Sequence, residues 1–391
     1  MWPPLEWILI GWTGLAACWW AVAIGLVYGK RRRHIAPDLA KLVSAGKLSI
    51  FKPIPAIVEA IPSPQLVAAL ESFVSQLGDQ DELLLGIEQK EITKWEPVVE
   101  RWRKKFPQAN LQPVVKPRPA QFLNPRVSWC HTLAEHAEGE LWLWSDTDMI
   151  APAGALATMR RELLESGVGL VTCPYVVRNV EHAPKMLEAL FANVEFYPGV
   201  LFCGRQGRVN FGLGSGMMFS AARFRERASW ELLGARMADD NVLGKALGPV
   251  KISETTLTTL AAESDWRNAL EHYRRWHKTI RWCNPAGYAG QILIVPILGW
   301  WMMALLHPSS AVVWLGLAGT ATMEIVAATV VFRSAACRVR AWPMVVLWSV
   351  LLRPLTWLAA WSPWPVVFRS QRRVWSSLYR CSEIIAASTQ S

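Results

Sequence analysis

The sequence lacks closely spaced cysteines. Its seven cysteines are scattered from Cys18 to Cys381, and no two of them have the spacing of a zinc-ligand pair. The odd count also argues against the disulfide framework of a small secreted domain. Reduced thiols in a cytoplasmic domain are therefore expected.

Glycine-rich phosphate-binding loops are missing as well. The chain contains neither GxxxxGK[ST] nor GxGxxG, the patterns that hold phosphates through backbone amides. A phosphate-bearing ligand would then need a metal ion or basic side chains. Internal repeats and low-complexity segments are also absent.

Charge is scarce: 18% of the residues are charged and 52% are hydrophobic, which is more apolar than a soluble domain. The formal net charge is +10, and the basic residues cluster beside apolar segments, at Lys30–Arg33 and at Arg369, Arg372 and Arg373. That placement favours an anionic membrane surface over nucleic acid as the partner. Many of the 23 tryptophans lie in or beside the same segments, as is typical of membrane interfaces.

An N-terminal membrane anchor is predicted at Trp7–Tyr28, an uncharged run long enough to cross a hydrocarbon core of about 30 Å. A signal peptide carries its positive charge before a shorter apolar core, whereas Lys30–Arg33 follows this run. The positive-inside rule places that cluster in the cytoplasm. We therefore expect an integral protein of the cell (inner) membrane whose next domain is cytoplasmic.

Two late apolar runs predict a helical hairpin. Ala286–Leu306 is uncharged, Ala311–Phe332 carries only Glu324, and Pro308 and Ser309 lie in the short turn between them. Glu324 is expected to face a neighbouring helix, with a role at a lipid pocket as the alternative.

The last apolar stretch, Ala341–Phe368, is interrupted by Arg353 and several prolines. A full crossing would put the basic tail outside, against the positive-inside rule. A broken, re-entrant or interfacial segment is predicted instead, with the tail to Ser391 in the cytoplasm.

Residues 35–282 alternate between short apolar runs and amphipathic helical patterns. Ser63 and Pro64 have the pattern of a helix N-cap and a first-turn proline. The alternation implies an α/β domain with a mainly parallel sheet covered on both faces. The predicted organisation is an anchor at 1–34, this domain at 35–282 and a membrane region at 283–391. The predicted strands are Leu48–Ile54, Glu82–Ile87, Leu111–Val115, Leu141–Ser145 and Val168–Cys173.

The sharpest chemical pattern is Leu141–Asp148, an apolar strand that ends in Asp146 and Asp148. Ligands of open α/β sheets bind at the carboxyl ends of strands. Two carboxylates there suit Mg²⁺ or Mn²⁺, which would bridge to a diphosphate. The alternative is an ordinary loop cap.

A second carboxylate pattern, Asp239 and Asp240, precedes the helical pattern Val242–Leu247. Such a carboxylate is usually a helix cap, and the alternative is a general base for an acceptor hydroxyl. A third pattern, Glu271–Lys278, lies just before the hairpin. It is typical of a basic amphipathic helix on anionic lipid, and could also clamp a donor diphosphate.

Taken in order, these motifs resemble the inverting membrane glycosyltransferases of GT-A fold (families 2 and 21), and within them the ceramide glucosyltransferase branch. Leu48–Ile54 is similar to the opening strand with its Lys52–Pro53 pair, and Asn124–Val127 to the branch's Asn-Pro-Lys-Val, with Arg126 replacing Lys. Phe211–Phe219 resembles the glycine-rich acceptor-side strand.

The resemblance implies a role for each matching residue. Asp146 and Asp148 would hold a divalent metal, Mn²⁺ or Mg²⁺, and Asp240 would be the catalytic base. The implied donor-binding residues are Lys52, Pro53, Glu88, Arg126, His272, Arg275 and Trp276.

Two positions depart from the family pattern. The first aspartate is absent after Glu82–Ile87, where Glu88 or Glu91 stands instead, and the first position of [Q/R]xxRW is His272. The implied reaction is an inverting transfer of a sugar from a nucleotide donor such as UDP-glucose to the hydroxyl of a ceramide-like membrane lipid. The alternatives are a polysaccharide synthase and a membrane scaffold that has lost catalysis.

Overall fold

The computed structural model describes residues 3–31, 46–54, 62–178, 180, 182–207, 209–260, 265–335, 342–362, 366–368 and 373–375. The interpretations that rest on Arg32, Arg33, Arg369 and Arg372, and on the tail from 376 to Ser391, lie outside these residues.

The strands, in chain order, are β1 (Leu48–Pro53), β2 (Glu82–Glu88), β3 (Asn110–Lys116), β4 (Leu141–Trp144), β5 (Met149–Ile150), β6 (Leu170–Thr172), β7 (Tyr175–Arg178), β8 (Met217–Ser220), β9 (Val250–Ile252), β10 (Leu257–Leu260), β11 (Val366–Phe368) and β12 (Arg373–Trp375).

The helices are α1 (Pro3–Arg31), α2 (Pro64–Val74), α3 (Ile92–Lys105), α4 (Pro125–Ala134), α5 (Ala155–Ser166), α6 (Ala183–Leu190), α7 (Tyr197–Arg205), α8 (Ala221–Arg227), α9 (Trp230–Gly234), α10 (Asp239–Leu247), α11 (Trp266–Cys283), α12 (Pro285–Gly290), α13 (Ile297–Leu306), α14 (Ala311–Ser334), α15 (Trp342–Leu347) and α16 (Arg353–Ala359). Two π-helical segments, Phe191–Phe196 and Trp348–Leu352, join α6 to α7 and α15 to α16. Short 3₁₀ turns lie at Gln89–Glu91 and Gln291–Ile294.

The central sheet has seven strands in the order β3-β2-β1-β4-β8-β6-β9. Only β8 runs antiparallel to its neighbours, so the predicted mainly parallel sheet is confirmed. In β4, Trp142 and Trp144 pack in one core cluster and Leu141 and Leu143 in the other, because side chains alternate along a strand. The strand is therefore covered on both faces.

The predicted helix start at Ser63 is confirmed, and a second start of the same kind, whose cap was not predicted, lies at Asn124. Ser63 accepts a hydrogen bond from the amide of Leu66 (3.1 Å) ahead of Pro64, and Asn124 accepts one from the amide of Arg126 (3.0 Å) ahead of Pro125. The second cap fixes the start of α4, and therefore the position from which the Arg126 side chain extends.

A three-stranded sheet, β5-β10-β7, lies beside the motif that ends β4. β5 begins directly after Asp148, and Met149 pairs with Thr259 of β10. This pairing brings Thr259 next to the second carboxylate of the motif.

Among the described residues, three helical stretches are long and apolar enough to cross a membrane: Leu5–Lys30, Ala183–Arg205 and Ala311–Ser334. The first and third agree with the predicted anchor and hairpin arm. Ala183–Arg205 was not expected, and 72% of its apolar window is buried inside the protein.

The other hairpin arm differs from the expectation. Instead of one helix over Ala286–Leu306, α12 and a 3₁₀ turn meet α13 at a bend of 62°. The physical reason is Pro296, which disfavours helical backbone at the residue before it; Val295 has φ −126° and ψ 56°.

The segment after the hairpin forms one short apolar helical stretch, Pro343–Ala359, that continues through the second π segment. Within it, Arg353 contacts Glu324 of α14 at 3.3 Å, as expected for a carboxylate that faces a neighbouring helix. The paired strands β11 and β12 follow. The boundaries 1–34, 35–282 and 283–391 remain predictions.

Candidate active site

Lys52 occupies the carboxyl end of β1, where it is fully buried. Its Nζ donates to Ser145 Oγ (2.9 Å) and to the backbone oxygen of Asp146 (2.8 Å). Burial lowers the pKa of Lys52 to about 7, although the charges of Asp146 and Asp148 oppose this shift. Lys52 thus braces the turn that carries the two aspartates. Pro53 follows it and pairs with Gly86 of β2.

Asp146 and Asp148 leave the end of β4 in a tight turn. The amide of Asp146 donates to the carbonyl of Gly214 (3.1 Å), and Asp148 accepts a hydrogen bond from Thr259 Oγ1 (2.8 Å). The backbone of Asp146 is thus held by the glycine-rich segment before β8, and the carboxylate of Asp148 by β10.

The pKa of Asp146 is raised to about 7. Burial in the protein is the main cause, Arg126 opposes it, and the charge of Asp148 adds to it. Even so, 42% of the Asp146 side chain is open to solvent, so the carboxylate faces a recess and remains accessible.

Arg126 joins the two carboxylate motifs. Its Nε lies 3.1 Å from Asp146 Oδ1, and its Nη1 lies 2.5 Å from Asp239 Oδ2. Its Nη2 donates to the carbonyl of Gly214 at 3.1 Å. One guanidinium therefore holds the end of β4, the glycine-rich segment before β8 and the start of α10 at one place.

Asp240 lies in the first turn of α10, but it is not the helix cap. The N-cap is Ala238, and no side chain caps this helix. Asp240 accepts hydrogen bonds from the amides of Gly214 (3.0 Å) and Asn241 (2.7 Å). Burial, and then the neighbouring charge of Asp239, raises the pKa of Asp240 to about 6 although Arg126 opposes this. A carboxylate with this pKa accepts protons well near neutral pH.

Gly214 must be small. A Cβ at this position would lie 3.0 Å from Asp146 Oδ2 and 3.6 Å from Arg126 Nη2. Any side chain there would enter the space between Asp146 and Asp240. The glycine lets its backbone approach both motifs closely.

Glu88 ends β2 two strands away from β4 in the sheet, after β1. It is 5% exposed and pairs with Arg118 and with Lys90 (3.5 Å). These residues line an open cavity of about 350 Å³ together with Gln89 and Pro117. The carboxylate is thus present at the position of the missing aspartate, but it is held by two cationic side chains.

The motif in α11, Glu271–Lys278, lies on a different side of the site from the carboxylates. Trp276 stacks on Phe191 of the first π segment (4.7 Å between ring centroids) and contacts the ring of His272 (3.9 Å). Phe191 in turn stacks on Phe196, whose ring is 5.9 Å from that of Tyr175.

Tyr175 lies close enough to Asp146, Asp148 and Asp240 for their charges to raise the pKa of its hydroxyl, after the larger effect of burial and that of Glu188. A row of aromatic rings therefore runs from the carboxylates to the motif that contains Arg275.

The structure brings Lys52, Arg126, Asp146, Asp148 and Asp240 together. It places Pro53 and Glu88 along the same sheet edge, and His272, Arg275 and Trp276 on α11 behind the aromatic row. Sequence reasoning missed the supporting roles of Asp239, Thr259, Tyr175 and Arg118. Only Asp239 had a visible signal, since it is adjacent to Asp240.

The donor set fits a divalent metal that is only partly held by protein. No cage of three or more His, Cys, Asp or Glu side chains exists in the described part of the chain. Asp146 and Asp148 provide two hard oxygen ligands, and Mg²⁺-type sites commonly use one or two carboxylates with substrate phosphates and water.

Comparison with known proteins gives one family match. The family model described as Glycosyl transferase family 21 matches residues 15–374. No curated protein sequence matches the chain.

Several solved structures are similar in fold. Mannosyltransferase PcManGT from Pyrobaculum calidifontis, in complex with GDP-Man and Mn²⁺, has 16% identity and a TM-score of 0.49, covering 89% of this chain and 99% of its own. TarS 1–349 of S. aureus in complex with UDP-GlcNAc has 12% identity and a TM-score of 0.36, with 79% and 92% covered. Glucosyl-3-phosphoglycerate synthase from Mycobacterium tuberculosis has 12% identity and a TM-score of 0.37, with 64% and 85% covered.

Proposed function

From the premise that the chain belongs to glycosyl transferase family 21, we propose that it transfers a sugar from a nucleotide donor such as UDP-glucose to a hydroxyl of a ceramide-like membrane lipid, with inversion. The family match together with the mainly parallel sheet and the apolar terminal helices confirms the expected GT-A glycosyltransferase with membrane segments. The donor, the acceptor and the side of the membrane belong to the proposal.

The observation that carries this proposal is the bridge made by Arg126 between Asp146 and Asp239. It places the strand-end carboxylates, which suit a diphosphate-bound metal, beside the first turn of α10. An inverting transfer needs the metal-binding carboxylates and the base at the same time. The reason is that the attacking oxygen and the leaving diphosphate lie on opposite sides of the anomeric carbon.

Asp240 takes the proton of the acceptor hydroxyl, and the oxygen attacks the anomeric carbon of the donor. The bond from that carbon to the diphosphate breaks, and the nucleoside diphosphate leaves. A divalent cation held by Asp146 and Asp148, Mn²⁺ or Mg²⁺, supplies charge neutralisation for the diphosphate. Arg275, with His272 and Trp276 beside it on α11, adds positive charge and a wall to the donor site.

The nucleoside is placed along the edge that runs from β4 to β2. Lys52 and Pro53 end β1 between these strands, and Glu88 lines the cavity at the end of β2. Since neighbouring strands are about 4.8 Å apart, this cavity is roughly 10 Å from the metal motif. A nucleotide whose diphosphate is bound at Asp146 can extend its base towards it.

The acceptor comes from the membrane that α1 and α14 enter, and the transfer takes place at its cytoplasmic face. The basic end of α1 supports this orientation. Phe211–Leu213, next to Gly214, would form the acceptor side.

The test is turnover by purified membranes with radiolabelled UDP-glucose, Mn²⁺ and a membrane lipid extract. We expect a single labelled glycolipid from the native chain and none from Asp240→Asn. Asp79→Asn is the matched control, because Asp79 is exposed and lies outside the site. A polymer as product would favour the polysaccharide synthase, and absence of any labelled product would favour the scaffold.

A further inference from the structure

A buried polar cluster lies where the α/β domain meets the membrane helices, and the proposed reaction does not use it. We call it the junction cluster. Its members come from the first π segment, α11, the 3₁₀ turn, α14 and α16: Glu195, Tyr273, His277, Gln291, Glu324 and Arg353.

Glu195 is the centre of this cluster. Its Oε1 accepts a hydrogen bond from Tyr273 Oη (2.8 Å), which also accepts one from Trp348 Nε1 (3.1 Å). His277 Nε2 lies 3.7 Å from Glu195 Oε2. A helix of the transferase domain is thereby joined to α11 and to the second π segment.

Three helix irregularities converge on the same place. Glu195 lies in one π segment, Arg353 directly follows the other, and Gln291 begins the 3₁₀ turn at the broken arm of the hairpin. Such segments are often found at functional sites. Irregular backbone at membrane depth is tolerated only where it is buried in protein or lines a cavity.

The cluster has buried polar atoms that lack partners. Within the described residues, His277 Nε2 and Glu324 Oε1 make no hydrogen bond. Their side chains are almost completely buried, at 1% and 0% exposure. Leaving buried polar atoms unpaired is unfavourable, so the cluster retains capacity for further hydrogen bonds.

A small cavity lies inside the cluster. Its volume is about 20 Å³, which is enough for one water-sized group. Its polar lining is Glu195, Gln291 and Arg353, and its aromatic walls are Trp19 and Trp357.

The charges select the kind of group that fits. Two carboxylates, Glu195 and Glu324, face one guanidinium, and burial together with Arg353 lowers the pKa of His277 to about 3, so its ring is neutral. Arg353 is already engaged by Glu324 (3.3 Å) and by the carbonyl of Ile294 (3.1 Å), so this lining offers no unpaired cation to an anionic phosphate. A neutral hydroxyl or amide N–H would donate to the carboxylates.

The cluster is also connected to the transfer site. Phe191 contacts Tyr273 and His277 on one side and stacks on Phe196 on the other. Phe196 packs against Tyr175, which lies beside the carboxylates. The cluster and the transfer site are therefore joined by one continuous row of aromatic contacts.

We propose that the junction cavity binds a hydroxyl or amide group of the acceptor lipid's head through Glu195, Gln291 and Arg353, while another hydroxyl of the same head is presented to Asp240. This inference rests on the proposed lipid acceptor. It assigns to the cluster a role in acceptor recognition that is separate from donor binding.

The kinetic test uses Gln291→Leu and Glu195→Gln in nanodiscs with ceramide and UDP-glucose. Gln at 195 still accepts the bond from Tyr273, so the fold is kept. We expect the KM for ceramide to rise roughly tenfold in both variants, as for one lost hydrogen bond to a charged or amide group. The KM for UDP-glucose should stay unchanged. Thr322→Val, an exposed position on α14, is the control.

A binding test needs no turnover. A ceramide that carries a diazirine next to its hydroxyls should cross-link to the peptides around Glu195 and Gln291, and polyprenyl phosphate should not compete. Unchanged ceramide KM in both variants, or cross-links elsewhere, would show that the cavity holds only water and overturn the inference. Competition by polyprenyl phosphate would overturn the neutral-head assignment. Cross-linking here without glycolipid formation would support the site and count against the proposed function.

Discussion

Arg126 shows why a single residue can decide the geometry of this site. Its three nitrogen contacts reach Asp146, Asp239 and the Gly214 carbonyl, which belong to three different segments. A lysine presents a point charge and has no planar fork, so it does not reproduce such a bridge. Arg126 therefore links the end of β4 to the start of α10 in a way that a lysine at this position would not.

The substitution Asp240→Asn distinguishes the proposed role of the base from that of the metal ligands. Asn keeps the size and the hydrogen-bond acceptor for Gly214, but it takes no proton. We expect turnover to fall by about 10²–10⁴-fold, with donor and Mn²⁺ affinity unchanged, as measured by calorimetry on the same preparation. Near-native glycolipid formation would remove Asp240 as the base, and Asp239 would be the next candidate.

The pH profile should report the same group. Because a base works only when deprotonated, the raised pKa of Asp240, about 6, predicts a rate that falls as pH drops below 6 and levels off above it. Measurements at saturating metal and donor keep the titration of Asp146 out of the profile. A rate independent of pH between 5 and 7 would contradict this assignment.

Asp148→Ala should weaken the metal site and leave the fold intact, since the side chain makes one hydrogen bond, to Thr259. Loss of a hard oxygen ligand should lower Mn²⁺ affinity in the presence of UDP by more than about tenfold. Electron paramagnetic resonance of free Mn²⁺ measures this without turnover, with Asp79→Ala as control. Equal affinity in both variants would exclude Asp148 as a ligand.

Among the elements, strands were the easiest to predict. β2 is buried at every residue, and its run Glu82–Ile87 reads as continuous and mostly apolar for that reason. The helix start at Ser63, which is followed by proline, was equally visible. The two π segments were not, because no residue pattern in Phe191–Phe196 or Trp348–Leu352 distinguishes π-helical from α-helical backbone. Their geometry comes from packing against α11 and α14.

The ion pair between Glu324 of α14 and Arg353 of α16 leads to a prediction about how α16 is held. Glu324 and Arg353 are almost fully buried, so removing one charge leaves the other unpaired, at a cost of about 3–5 kcal/mol. Glu324→Gln should lower the thermal midpoint in detergent. Arg353→Met added to it should recover part of the loss. If the single variant melts like the native chain, α16 is not held by this pair.

At the scale of the whole molecule, the sequence motifs nominate the candidate groups but do not predict how these groups meet. That Arg126 would reach Asp239, far along the chain, depends on α4 and α10 packing at one edge of the sheet. The position of α11 behind an aromatic row depends on Phe191 and Phe196, which carry no motif. Long-range packing of this kind leaves no periodic signal in a single sequence.

Orientation in the membrane remains a prediction of the charge pattern. We expect a reporter that is active only in the cytoplasm to be active when fused after Ser391. The reason is that Lys30–Arg33 places the end of the anchor in the cytoplasm and Ala341–Phe368 is predicted not to cross. A fusion after Arg31 provides the reference for the cytoplasmic side. Opposite signals from the two fusions would make the last apolar segment a full crossing.

Helix α1 is tied to the α/β domain at two levels. Lys30 Nζ donates to the carbonyl of Ser253, just after β9 (2.5 Å), and Trp19 packs edge-on against Phe202 of α7. On the proposed topology, these two contacts would hold the carboxylates at a fixed height above the end of α1. With this distance fixed, a head group longer by one sugar ring would carry its free hydroxyl past Asp240. We expect the first product to be a poor acceptor for a second transfer, so that each lipid receives one sugar.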